Sequence, residues 1–428
     1  MRKHLDEEAH RHINTDSDSE ILLNIFAEEL EKTGKKRLNE DDIFKCLSGV
    51  YSKCQGGFSC VALLAGFGII GFRDQYGIRP IQIGSRSSAT LPGKRDFLIS
   101  SESVVFDCLD SKSGNAYNSF VDLLPGQAVI IPKSTMQPVF RQVSPQISYS
   151  PDIFEYVYFS RPDSVLDGIN VYRSRLMMGQ LLADEVRRRI PNYMEEIDVV
   201  VPVPDTAREC ALELAQKLGL LYREAFVKNR YIGRTFIMPG QNERRKNVRR
   251  KLNAMAIEFR DRNVLIVDDS IVRGTTSKEI VQMAREKGAL KVFLASCAPA
   301  IRFPHIYGID LADTKELVAS GRTDDEIATE LGADLVIYQR LSDLEKACSS
   351  LNPSIKSFET GVFTGKYVTG VHDDYIKHLE AVRGVNARIK EFERKRVANG
   401  AFENHEDHED QEDLKAEDDI SLYNGASH

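Results

Sequence analysis

Two adjacent carboxylates, Asp268 and Asp269, close an apolar β-branched run, Val264 to Val267. Ser270 follows them, and then Arg273-Gly274-Thr275-Thr276-Ser277 leads into a helical pattern at Ile280, Val281 and Ala284. The run predicts a buried parallel strand. The loop between the carboxyl end of such a strand and the next helix is where open α/β sheets bind ligands. Backbone N–H groups and the helix dipole there favour a phosphate. The hydroxyls of Thr275, Thr276 and Ser277 add donors, and Gly274 allows close backbone approach. The carboxylates repel phosphate, so they need another partner, either sugar hydroxyls or Mg²⁺. A turn with an N-cap would account for Asp268-Asp269 alone. It does not account for two carboxylates, Arg-Gly and three hydroxyls in one crossing. A phosphorylated sugar is the ligand these residue types suggest.

A second strand-to-helix crossing reads Val199-Val200-Val201-Pro202-Val203-Pro204-Asp205-Thr206-Ala207-Arg208. Asp205 or Thr206 could simply cap the following helix. Beside the first crossing, the loop is also suited to hold a pyrophosphate through its N–H groups, with Thr206 near a metal. Lys228 opens a third segment, containing Tyr231, Gly233, Pro239 and Gly240, which runs into six basic residues in the eight positions 244–251. That composition reads as a lid over phosphates, which would exclude water from a reactive sugar intermediate.

These elements must be positioned by a sizeable fold. The 428 residues leave room for two or three domains, and 42% hydrophobic with 28% charged residues is ordinary for a globular chain. A net charge of −7 argues against a nucleic-acid binder. No apolar stretch is long enough to span a bilayer, and Cys60 to Phe72, with three glycines, reads as paired strands. The start shows no secretory signal, so a cytoplasmic protein is expected. Seven scattered cysteines without a CxxC indicate reduced, structural thiols. His10 and His12 lack a third ligand and read as a solvated segment.

Helices are expected over 18–33, capped by Asp16 or Ser17, and over Glu40 to Lys53. Strands follow at Ser59 to Ala65, Ile69 to Phe72, Phe97 to Ser100 and Gln127 to Ile131, an antiparallel α+β pattern. After about residue 150 the pattern alternates: helix Tyr172 to Arg189, strand Ile197 to Val203, helix Ala207 to Leu218 and strand Tyr222 to Lys228. The strand at 264, helix Thr276 to Lys287 and strands Lys291 to Ser296 and Leu335 to Tyr338 complete it. Such alternation predicts a mostly parallel sheet with both crossings on one edge. From about 397 the chain is a polar acidic block unable to bury a core.

The string from Asp268 to Ser277 resembles the phosphoribosyl pyrophosphate (PRPP) signature of type I phosphoribosyltransferases. The blocks Phe154-Glu155-Tyr156-Val157-Tyr158-Phe159-Ser160-Arg161-Pro162-Asp163-Ser164 and Tyr307-Gly308-Ile309-Asp310, with the basic segment between them, resemble the amidophosphoribosyltransferase family. That resemblance implies an α/β fold. A type I phosphoribosyltransferase domain (148–370) would follow the C-terminal part of an N-terminal-nucleophile αββα glutaminase domain (1–147). A C-terminal helix (371–396) and an acidic tail (397–428) would complete the chain. It implies the first step of purine synthesis, in which PRPP, glutamine and water give 5-phosphoribosylamine, pyrophosphate and glutamate. It assigns the ribose hydroxyls to Asp268 and Asp269, and the 5′-phosphate to the Arg273–Ser277 turn. One Mg²⁺ falls to Thr206, Asp268 and Asp269, and the α-amino group of glutamine to Asp18. Tyr231 belongs to the lid and the ammonia path. Purine nucleotides are implied as feedback inhibitors, with Lys228 and the basic lid as phosphate contacts, and a homodimer or tetramer is implied as the assembly.

Two departures qualify the resemblance. The glutaminase half should begin with Cys-Gly-Ile, but Met1 is followed by Arg2, a large residue that normally keeps the initiator in place. No N-terminal cysteine nucleophile is then expected, and phosphoribosylamine would form from free ammonia only. Unpaired strand edges and an uncovered apolar face are expected in residues 1 to about 145. Further, Ile153, His305 and Ile306 stand where iron–sulfur ligands would fall, so no cluster is expected. The alternative reading is a non-catalytic PRPP- or nucleotide-sensing subunit. A salvage phosphoribosyltransferase shares the PRPP string but would not need the preceding α+β segment.

Overall fold

The computed structural model describes residues 4–15, 17–109, 117, 119–229, 248–309, 314–371, 375–377, 379 and 381. Tyr231 and most of the basic segment lie outside the described residues, as do the acidic tail and most of 371–396.

The first part is layered. Helices α1 (Asp18–Lys32) and α2 (Glu40–Lys53) form where apolar residues recur at helical spacing. The Ser17 hydroxyl accepts a bond from the Ser19 N–H, and Asn39 with Asp42 closes a capping box on α2. Both helices pack through Ile25, Phe26, Ile43 and Leu47 onto an antiparallel sheet. Its strands are β1 (Ser59–Leu64), β2 (Gly68–Arg73), β6 (Gln127–Pro132) and β7 (Val139–Gln142), in the order β1-β2-β6-β7. A second sheet, β4-β3-β5, is built from β3 (Gln82–Ser87), β4 (Arg95–Ser100) and β5 (Ser119–Asp122). Ile81, Ile83, Val129 and Ile131 pack together, joining the two sheets. The short helix α3 (Val104–Cys108) covers the outer face, where Phe106 stacks on Phe120 at 5.3 Å between ring centroids. Strand β1 is an edge, and Val61, Leu63 and Ile69 are exposed.

The second part is a five-stranded, wholly parallel sheet. Its strands are β8 (Val199–Pro202), β9 (Leu221–Tyr222), β12 (Asn263–Asp268), β13 (Lys291–Ser296) and β14 (Leu335–Tyr338), in the order β9-β8-β12-β13-β14. Helix α4 (Val171–Arg189) packs on α5 (Arg208–Leu218). Helices α6 (Thr275–Glu286), α7 (Asp324–Leu331) and α8 (Leu341–Ser349) complete the layers. Apolar clusters fill both faces of the sheet, which explains why its strands read as continuous apolar runs.

The structure corrects two expectations here. The single strand expected from Tyr222 to Lys228 is two strands. Leu221–Tyr222 joins the parallel sheet, while β10 (Phe226–Lys228) pairs antiparallel with β11 (Leu252–Ala254). Arg223 and Glu224, exposed and charged, break the run between them. Neither Asp205 nor Thr206 caps α5, whose N-cap position is Ala207 without a side-chain bond.

The two parts meet through buried polar groups. Arg73, at the end of β2 and fully buried, donates to both carboxylate oxygens of Asp167 at 2.6 and 3.0 Å. It also donates to the carbonyls of Gly77 and Leu123 at 2.7 and 2.8 Å. Arg79 pairs with Glu155 at 2.9 Å.

Candidate active site

The sheet order reverses between β8 and β12, which are direct neighbours, with Pro202 opposite Val267. Loops leaving the two strands must diverge to helices on opposite sides and open a crevice at their carboxyl ends. The crevice is a cavity of about 540 Å³. Asp268, Asp269 and Ser270 form its floor, and Arg273, Gly274, Thr276 and Ser277 one side. Val203, Pro204 and Thr206 form another side, and Phe154, Tyr158, Phe159 and Val272 complete the lining.

Each element places its groups for a local reason. Gly274 adopts a left-handed φ of 74°, so the chain can turn sharply into α6. A Cβ there would come within 2.9 Å of Val318. Asp268 accepts a bond from the Asp269 N–H at 2.9 Å. Asp269 accepts bonds from the hydroxyls of Thr206 and, at 2.7 Å, Ser270. The Thr206 bond joins the two crossings directly. Both carboxylates are buried. Burial, together with the neighbouring Asp269 charge, pushes the Asp268 carboxyl well above its usual range. Burial raises Asp269 too, against the lowering effect of the Thr206 and Ser270 hydroxyls and of Arg175. Two crowded carboxylates that resist ionisation suit a site that receives a cation or hydroxyl donors.

Other expected residues are placed differently. The Thr275 side faces a smaller neighbouring cavity with Lys278 and Glu330 rather than the main one. This follows from the helical turn, which points successive residues to different sides. Arg273 pairs with Glu316 at 2.7 Å at the cavity's edge. Asp205 and Lys228 pair with each other, both exposed, outside the cavity lining. Asp18 is exposed on the first turn of α1 and is not among the lining residues. Ile153 is buried in the core, and His305 is bonded to Asp152 at 2.8 Å.

The aromatic wall was not recognised as part of the site from the residues alone. Phe154 precedes a five-residue π-helix, Glu155–Phe159, and its ring lies 5.5 Å from Phe159 and 6.3 Å from Tyr158. The only local signal is a dense aromatic run immediately before Arg161-Pro162. Arg175 of α4, which supports that wall, carried no signal at all.

Known proteins resemble this chain over most of its length. The family model for the phosphoribosyl transferase domain matches residues 174–301. The amidophosphoribosyltransferase of Lachancea kluyveri is 57% identical, over 100% of this chain and 78% of its own length. That of Escherichia coli is 49% identical, over 91% of this chain and 75% of its own. A solved structure, glutamine PRPP amidotransferase from B. subtilis complexed with ADP and GMP, superposes with a TM-score of 0.70 at 33% identity. It covers 87% of this chain, which spans 75% of that one. With relatives of this identity over nearly its whole length, and with its two strand-to-helix loops at the sheet's switch point, the chain belongs to the amidophosphoribosyltransferase family.

Proposed function

We propose that the cavity at the β8–β12 switch point binds PRPP and transfers its phosphoribosyl group to ammonia. The observation that carries this reading is the meeting of Asp268, Asp269 and Thr206 in one cavity with the Arg273–Ser277 turn. The N-terminal N–H groups of α6, with the hydroxyls of Thr276 and Ser277, hold the 5′-phosphate. Asp268 and Asp269 accept hydrogen bonds from the ribose hydroxyls. Their oxygens lie beside C1, and a bound cation or the oxocarbenium character that C1 gains as pyrophosphate departs towards the Thr206 loop would draw out their ionised form. The aromatic wall excludes water that would otherwise compete with ammonia. Ser270 on the floor, Thr275 at the start of α6 and the Asp205–Lys228 pair outside the lining are proposed as further contacts for PRPP, with Lys228 also offered to a nucleotide phosphate. Tyr231, outside the described residues, is assigned to the lid.

The oxygen donors of Thr206, Asp268 and Asp269 fit one Mg²⁺, which needs few protein ligands when phosphates and water supply the rest. When bound, Mg²⁺ neutralises pyrophosphate charge. No iron–sulfur cluster is proposed, in keeping with buried Ile153 and the His305–Asp152 bond.

Free ammonia is the proposed nitrogen donor at this cavity. The seven cysteines are free thiols. Burial pushes the Cys54 and Cys60 thiols up to about 11 and about 12, which disfavours the nucleophilic thiolate. Asp18 remains the proposed contact for a glutamine amino group. The proposed division is 1–147 as glutaminase-type, 148–370 as phosphoribosyltransferase, then 371–396 and the tail. A cytoplasmic homodimer or tetramer is proposed, with the exposed Val61, Leu63 and Ile69 offering apolar contact surface. No helix among the described residues is long and apolar enough to cross a membrane. Purine nucleotides are proposed as inhibitors at the phosphate turn, since the B. subtilis neighbour is complexed with ADP and GMP.

The test is pyrophosphate release from PRPP with ammonium chloride and Mg²⁺. Activity with ammonia is expected, and PRPP binding without pyrophosphate release would overturn the reading in favour of a sensor.

A further inference from the structure

Arg175 is a buried cation whose two hydrogen bonds go to carbonyls rather than to a carboxylate. Its Nε donates to the Tyr156 carbonyl at 3.0 Å and its Nη2 to the Ser160 carbonyl at 2.8 Å. Burial holds its guanidinium below the ordinary value. A buried charge with this partnership costs stability, and an apolar side chain of similar volume would serve packing better. The bonds have a specific destination. Tyr156 belongs to, and Ser160 caps the C-terminal end of, the π-helical turn that presents Tyr158 and Phe159 to the cavity. A single π-turn cannot satisfy its own last carbonyls, and an isolated turn is unstable. Arg175 therefore supplies from α4 what the turn lacks. Its planar fork meets the two carbonyls from two fixed nitrogens, whereas a lysine would offer one nitrogen on a flexible stem. Its positive charge is also felt at Asp269, on the cavity floor.

We propose that Arg175 is a positioning residue for phosphoribosyl transfer. It locks the aromatic wall over the Asp268–Asp269 floor, so that the cavity is pre-shaped when the sugar enters. The proposal rests on the cavity being the PRPP site. The prediction is specific to wall placement, because a 1 Å displacement of a positioning group is felt in transfer even when the fold survives.

The experiment uses the full chain with PRPP, Mg²⁺ and ammonium chloride, and compares Arg175→Ala, Arg175→Lys and a packing control, Leu182→Ala, on the same helix. Arg175→Ala and Arg175→Lys are expected to lose about tenfold or more in kcat/KM for PRPP, the scale of losing charge-assisted hydrogen bonds. Leu182→Ala is expected to lower the melting temperature with KM unchanged. Methylguanidinium added to Arg175→Ala is expected to restore activity. Should Arg175→Ala fail to fold, Arg175→Lys decides. Wild-type kcat/KM in Arg175→Lys, or a loss in Arg175→Ala that only tracks its folded fraction, overturns the assignment. A site reading that is itself wrong shows separately, because Asp268→Asn and Asp269→Asn would then leave pyrophosphate release intact.

Discussion

The carboxylate pair shows how function and stability oppose each other at single residues. Asp268 and Asp269 are buried side by side, and burial with mutual repulsion disfavours their charged forms. Asn at 268 keeps the oxygen that accepts the Asp269 N–H and needs no proton uptake to stay neutral when buried. Asp268→Asn is therefore expected to melt at a higher temperature than the parent without ligands. It is also expected to lose roughly a hundredfold or more in kcat, the scale of removing a preorganised charge next to the reacting centre. Thermal melts and ammonia-dependent assays on the same preparation check both halves. A variant that melts lower would show that the pair is not held against its own repulsion. Ser277, buried at the start of α6, was legible as a donor from its type and spacing. The outward turn of Thr275 was not, because residue type does not say which side of a helix faces the cavity.

At the scale of elements, the left-handed turn at Gly274 and the bridge between Asp152 and Glu359 each hold a segment in place. Gly274→Ala forces a Cβ into a positive-φ position and against Val318 at 2.9 Å. A loss of about 1–3 kcal/mol in urea unfolding is expected, with weaker PRPP binding. Unchanged stability would mean that the turn tolerates other backbone forms. Glu359 accepts N–H bonds from Gly361 and Val368 at 2.5 and 2.8 Å, yet burial raises its carboxyl from 4.5 to about 7. The folded chain thus holds a proton that the unfolded chain releases at lower pH. Its stabilising contribution is complete below 4.5 and is lost as pH rises through about 7. Glu359→Gln should flatten the dependence of melting temperature on pH across that window. A slope identical to the parent's would assign the effect to other groups, such as Asp122, which burial raises to about 6.

On the scale of the whole molecule, the two parts are joined by polar groups taken out of water. Arg73 and Asp167 are separated by 94 positions in sequence, and both are buried. Tyr149 donates to the same Asp167 at 2.9 Å, and Asn352 donates to its carbonyl at 2.7 Å. Arg73→Met leaves Asp167 buried without its cation and is expected to cost about 3–5 kcal/mol. Adding Asp167→Asn should recover part of that loss in a double-mutant cycle by chemical denaturation. A double-variant loss equal to the sum of the two single losses would show that the pair is not coupled. Arg79, reaching Glu155 at the start of the π-turn, extends this contact to the wall of the cavity.

Residue order alone determined the helices α1 and α2, the parallel strands β8, β12, β13 and β14 and the string from Asp268 to Ser277, because each depends on periodicity or on neighbours within about ten positions. The strand boundaries β1, β2, β12, β13 and β14 were legible for the same reason. Strands β3, β5 and β7 were not, since short polar-rich segments become strands only when a partner strand supplies the hydrogen bonds. Folding decided which crossings share a crevice, through the strand order that sets β8 beside β12. It decided that Thr206 bonds to Asp269 instead of capping a helix. It also brought Phe154, Tyr158, Phe159 and Arg175 to a site whose carboxylates lie about a hundred positions away, because long-range proximity is written in packing and not in spacing.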